Sequence, residues 1–145
     1  MRLSTRGRYG VRLMIDLALH NGNGPVMLKD ISRRQGISQK YLWNLINPLK
    51  SAGLVKSTRG AHGGFTLARD PAGISVTDIL QVLEGSLCLV DCVENPSASE
   101  KSTNCVARDI WCLASGNLRQ TLASVTLAHL MEKQRGKRAP AEYEI

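Results

Sequence analysis

The sequence contains no run of eighteen apolar residues, so no segment reads as a membrane-spanning helix. The stretch Met1-Arg2-Leu3-Ser4-Thr5-Arg6 is basic, but no apolar core and small-residue cleavage site of the secretory kind follow it. These absences predict a cytoplasmic protein whose 4 cysteines stay reduced. Metal binding, redox sensing and plain packing are then ahead of structural disulfides as roles for the thiols. Signatures of enzymes are missing as well. There is no His-Glu-x-x-His, no nucleophile elbow and no Walker loop, and His20, His62 and His129 are scattered without ligand spacing. The stretch Gly60-Ala61-His62-Gly63-Gly64 is not a phosphate loop, because a Walker motif has four residues between its glycines, then Lys and Ser or Thr, and opens a helix. Here the glycines run into Phe65-Thr66-Leu67, which suits a strand, as does Leu54-Val55-Lys56 before them. A thiol- or metal-dependent enzyme is the remote alternative, and no small-molecule substrate is predicted.

Acidic residues are nearly absent from the first seventy positions, which hold 12 Lys and Arg against 3 Asp and Glu, a net of +9. Residues 71–132 reverse the balance with 3 against 7, and the last thirteen carry 4 against 2. A cationic half beside an anionic one is expected where one half meets a polyanion, since each neutralised phosphate releases counterions. A merely solvated basic surface is the competing explanation from charge alone. At 145 residues the chain is one ordinary domain with room for an appendage.

Periodicity orders the elements. Val11, Met14, Ile15 and Ala18 share one face of a helix over 4–20, and Asn21-Gly22-Asn23-Gly24-Pro25 breaks it. A short helix fits 28–35, with Leu28 and Ile31 inward and Gly36 as its stop. Ser38 is a plausible N-cap for a second helix, in which Leu42, Leu45, Ile46 and Leu49 face inward and which Gly53 closes. Pro48 within it withholds a donor from the Asn44 carbonyl and predicts a kink or an early end. Helix, turn, helix, strand, glycine loop, strand is a winged helix-turn-helix, whose wing is the glycine loop. Ser75-Val76-Thr77-Asp78 resembles a capping box for a helix carrying Ile79, Leu80 and Leu83 to Gly85. Residues 86–103 lack a period and read as a loop. A long helix over 104–134 follows, with Val106, Ile110, Leu113, Leu118, Leu122, Val125 and Leu130 apolar, and its second apolar face asks for a partner subunit. Residues 135–145 read as a frayed tail. The expected fold is mainly α with a small β-hairpin wing. It divides into a winged helix-turn-helix over 1–85, a cysteine-containing sensor loop over 86–103, a dimerisation helix over 104–134 and a disordered tail.

In a helix-turn-helix the second helix places its N-terminal residues at base edges in the major groove. These are Ser38, Gln39, Lys40, Trp43 and Asn44. Gln39 and Asn44 suit adenine, and Lys40 suits guanine or a phosphate. Trp43 either packs on a sugar or a thymine methyl, or is tucked against the first helix. On the wing, Arg59 is placed for the minor groove, where Gly60, Gly63 and Gly64 let backbones approach; His62 is more ordinarily a solvated loop residue.

"MRLSTRGRYGVRLMIDLALH", "DISRRQGISQKYL", "LKSAGLVKSTRGAHGGFTLARDP" and "LASVTLAHL" together resemble the bacterial IscR and NsrR type of winged-helix transcription regulators over nearly the whole chain. The resemblance implies a homodimer joined through the long C-terminal helix, bound to a partly palindromic double-stranded DNA operator. It also implies an iron–sulfur cluster, 2Fe–2S or 4Fe–4S, held by three cysteines in the loop before that helix. This sequence departs from the pattern with Cys92, then Ser99, then Cys105. Serine is a poor iron ligand at neutral pH, so this form is expected to hold no stable cluster. Whether the serine arose naturally or replaced a cysteine is open. Some relatives add a histidine three residues beyond the last cysteine, where Arg108 stands, and others an acid at position 8 of the partner, where this chain has Arg8. Cys88 and Cys112 are closer to small buried hydrophobes than to ligands. Two modes of control stay open: a cluster or thiol redox state, and cluster-free repression governed by a partner protein or by thiol oxidation.

Overall fold

A computed structural model describes residues 2–90 and 105–138. Among the described residues, six α-helices and one two-stranded sheet occur in the order α1 (Thr5–Leu19), α2 (Leu28–Gln35), α3 (Gln39–Ser51), β1 (Val55–Thr58), β2 (Gly64–Leu67), a 3₁₀ turn (Pro71–Gly73), α4 (Val76–Glu84), α5 (Val106–Ser124) and α6 (Leu127–Arg138). The arrangement is the expected winged helix-turn-helix.

Helices α1, α3 and α4 each start where a side chain satisfies an orphan amide, whereas α2 follows Met27 without a side-chain cap. Ser4 Oγ accepts from Gly7 N at 3.3 Å, and Ser38 Oγ accepts from Tyr41 N at 3.2 Å. At α4 the capping box closes in both directions, with Asp78 N donating to Ser75 Oγ at 3.1 Å and Ser75 N to Asp78 Oδ2 at 2.9 Å. Gly36 ends α2 at φ 66° and ψ 32°, a left-handed conformation that costs a side chain energy, and this turns the chain into α3.

The core is aliphatic and is drawn from every early element. Ile31, Leu42, Leu45, Ile46, Leu49, Ile74 and Ile79 are fully buried. On α1 the buried line is Leu13, Met14, Leu17 and Ala18, while Val11 and Ile15 are only half-buried at its edge. The inward face is thus rotated from the expected one, because α1 is packed on two sides: α4 and α6 also lean on it. Gly7 and Gly10 let α4 come close; a β-carbon there would collide with the Glu84 and Leu83 side chains. Pro48 does not shorten α3, which runs on to Ser51.

The strands pair antiparallel, Val55 with Leu67 through Thr58 with Gly64, so residues 59–63 form the wing tip. Phe65 also bridges to Val26, with N–H···O distances of 2.9 and 2.8 Å, which anchors the hairpin to the α1–α2 connection. Gly64, at φ 155°, is required by that bridge, since a β-carbon would lie 2.5 Å from the Val26 carbonyl oxygen.

The long helix expected over 104–134 is two helices. Val125 is extended (φ −98°, ψ 118°), and Thr126 bridges to Ser75. Val76 N donates to the Val125 carbonyl and Leu127 N to the Ile74 carbonyl, each at 2.9 Å. Bonds to the 74–76 segment replace the helical ones at this break, and Thr126 Oγ1 starts α6 by accepting from His129 N at 3.3 Å. Leu127, next in line, is fully buried in the winged-helix core. Residues 135–138, expected in the tail, are the last part of α6.

Candidate nucleic-acid interface

The inner face of α3 is completely buried, so its outer face is set by default. Ser38, Gln39, Lys40, Trp43 and Asn44 are all exposed along it. Asn47, one turn further on, is exposed on the same side and was missed by the sequence reading. The signal was there: 40, 43, 44 and 47 continue a helical period. Trp43 is not tucked against α1. It is 50% exposed, and its ring meets Phe65 of β2 edge-on, at 6.1 Å between centroids and 69° between planes. At the wing tip Arg59, Gly60 and His62 are exposed, with Gly63 N closing a turn onto the Gly60 carbonyl at 3.0 Å.

What holds the helix-turn-helix on α1 was also missed. Asp16, fully buried in the middle of α1, accepts from Arg34 Nε at 3.0 Å, Arg34 Nη2 at 2.7 Å and Gln35 Nε2 at 2.9 Å. His20 Nδ1 lies 3.5 Å from the same carboxylate and 2.8 Å from the Asp16 carbonyl. Burial pushes the Asp16 carboxyl up, but hydrogen bonds from Arg34 and Gln35 and the positive charge nearby outweigh it, leaving its pKa lowered. Arg34 is raised chiefly by its bond to Asp16. Arg12 adds a second link, donating from Nε to Gln35 Oε1 at 3.3 Å and from Nη2 to the Gln35 carbonyl at the α2 C-terminus. Its guanidinium lies 5.3 Å from the Tyr9 ring, which meets Tyr41 of α3 edge-on at 5.8 Å. An aspartate amid apolar residues in a basic segment is the one sequence cue to this network.

The cysteines are arranged less compactly. Cys105 is exposed at the start of α5, while Cys92 and Ser99 lie outside the described residues. Cys88 and Cys112 are half-buried, less hidden than small core residues would be. Arg119 Nη2 donates to Cys88 Sγ at 3.0 Å, and Leu89 N donates to the buried Ser115 hydroxyl at 3.0 Å, which lays the 86–90 segment along α5. Among the described residues no group of three or more His, Cys, Asp or Glu is placed to hold a metal ion. The donor set at the pattern positions, Cys92, Ser99 and Cys105, offers two thiols and a serine hydroxyl and does not fit a cluster that calls for three soft thiolates.

On α5 one outward face carries Val106, Ile110 and Leu113, exposed by 77, 58 and 67%, and Trp111, 41% exposed, lies to one side of it. Among the described residues no helix is long and apolar enough to cross a membrane.

A family model described as "Rrf2: Iron-dependent Transcriptional regulator" matches residues 3–133. Protein rrf2 of Nitratidesulfovibrio vulgaris (strain Hildenborough) is 44% identical over 131 residues, covering 90% of this chain and 87% of its own. Among solved structures, CymR (YrzC), the global cysteine regulator of B. subtilis, superposes with a TM-score of 0.78 at 39% identity, covering 92% of this chain and 98% of that one. T. potens IscR superposes with a TM-score of 0.81 at 42% identity, covering 99% and 95%.

Proposed function

The chain belongs to the Rrf2 family of DNA-binding transcriptional regulators, which are not enzymes, and from that premise we propose that it acts in the cytoplasm as a homodimer on a double-stranded operator. The observation that carries this reading is the exposed row Gln39, Lys40, Trp43, Asn44 and Asn47 beside the wing-tip Arg59, on the half of the chain with a net charge of +9. Under it, α3 enters the major groove, Gln39 and Asn44 meet base edges, and Lys40 meets guanine or a phosphate. Arg59 enters the adjacent minor groove, with Gly60 and His62 at the backbone. The dimer forms through the apolar face of α5, which has a second copy as its natural cover because the same face recurs there.

For control, the reading that fits the donor set is a cluster-free regulator whose DNA affinity answers to thiol oxidation or to a partner protein. Cys105, exposed at the head of the dimer helix, supports it, as does the existence of a related Staphylococcus aureus CymR structure in an oxidized form. The iron-dependent description of the family favours a second reading, in which Cys92, Cys105 and a cysteine in place of Ser99 hold a cluster.

Operator binding followed by fluorescence anisotropy across a salt series tests the DNA reading. Affinity should fall steeply with salt, and Arg59→Ala should weaken binding by about 1–3 kcal/mol. An unchanged affinity and salt slope in that variant would remove the wing from the interface. For the control reading, the serine protein should be colourless with no stoichiometric iron, and Ser99→Cys reconstituted anaerobically with iron and sulfide should turn brown. A serine protein that keeps a full cluster overturns the cluster-free reading, and a colourless Ser99→Cys protein removes the second.

A further inference from the structure

We propose that Trp43 reads a thymine methyl group in the major groove and that Phe65 holds its indole in position to do so, an inference that rests on α3 being the groove-entering helix. Among the exposed positions of α3 (Gln39, Lys40, Trp43, Asn44, Asn47, Lys50 and Ser51), Trp43 is the single apolar side chain. A tryptophan present only for packing would gain from deeper burial, yet half of this one stays in water. It is also not loose. The edge-on contact with Phe65 restrains the ring, and Phe65 is itself held in the sheet opposite Ser57 and by its bridge to Val26.

The result is an apolar surface of defined orientation among amide and ammonium groups. Of the features that the four base pairs display in the major groove, the C5-methyl of thymine is the apolar one. Lys40 and Asn44, on the same face, match the polar edges beside it. The surroundings argue for DNA over a protein partner: this is the cationic half of the chain, whereas the extended apolar surface lies on α5. Because the indole spans from the recognition helix to the wing stem, the same contact ties the orientation of the wing to the base that Trp43 meets.

The test uses the full chain and a random duplex library. Wild type should enrich a sequence; each thymine in it is then replaced singly by uracil, which deletes only the methyl. One position should lose about four-fold in affinity, the ratio that one buried methyl of about 0.8 kcal/mol produces. Trp43→Ala and Trp43→Gln should bind thymine and uracil at that position equally, and Phe65→Leu should narrow the difference. Trp43→Gln, whose polar side chain suits an exposed site, carries the comparison if the alanine variant fails to fold. The proposal is overturned if no thymine is methyl-sensitive, or if the Trp43 variants keep the same uracil penalty, as they would if the indole only packed on a sugar. A wild-type protein that enriches no sequence overturns the DNA reading itself, and this proposal with it.

Discussion

Helices α5 and α6 follow each other across a two-residue break, yet they belong to different parts of the molecule. In α6 the first residue, Leu127, is completely buried, and the helix packs on α1 and on the 3₁₀ turn. In α5 only Ser115 is buried, and four large apolar side chains point into solvent. One helix finishes the core of the winged helix-turn-helix and the other presents a surface. The break at Val125–Thr126 is therefore a suture, in which the bonds to Ile74 and Val76 fasten the root of the outward helix to the start of α4. Since α6 touches α1, and α1 carries the network that holds α2, a force on α5 has a short packed route to the recognition helix.

The contrast can be broken at several points. The largest effect is expected inside the body. Asp16→Asn leaves the Arg34 charge without its counter-ion and should cost about 3–5 kcal/mol in urea unfolding. The pH dependence follows from the lowered carboxyl pKa: below its folded value the group is protonated in both states, so its contribution is complete above about pH 4 and disappears as pH falls further. Wild type should accordingly lose its advantage over the variant on acidification below pH ~4; a difference independent of pH would place the cost elsewhere than in the charge.

Leu127→Ala should destabilise by about 2–5 kcal/mol, the range for a fully buried leucine. If it costs no more than a surface change, α6 is not part of the core. The matching change on the other side, Ile110→Asp, should leave the far-UV circular dichroism spectrum intact and weaken self-association at least ~10-fold, about 1.4 kcal/mol. Sedimentation velocity reads this directly, and a dimer of undiminished affinity would move the interface off this face. The smallest effect should come from Leu113→Ala measured as monomer unfolding: with its side chain 67% exposed, a change within about 0.5 kcal/mol is expected.

Much of this was determined by the sequence alone. The period of α3, the Ser38 cap, Gly36, the Ser75–Asp78 box and the glycine wing are local devices, each acting within a turn or two, so the winged helix-turn-helix and its exposed row were legible in order along the chain. What tertiary structure decided were the features whose partners are distant in sequence. The apolar period runs straight through Val125, but backbone bonds to residues fifty positions earlier compensate for breaking the helix there. Asp16 reads as an anomaly until Arg34 and Gln35 are folded against it, because a buried carboxylate is tolerable only with such partners in place. Trp43 had two equal destinations in sequence, and the edge-on contact with Phe65, on a strand twenty-two positions later, is what orients its ring. Pattern specifies which way a residue faces on its own element; only the packing of elements specifies what it meets.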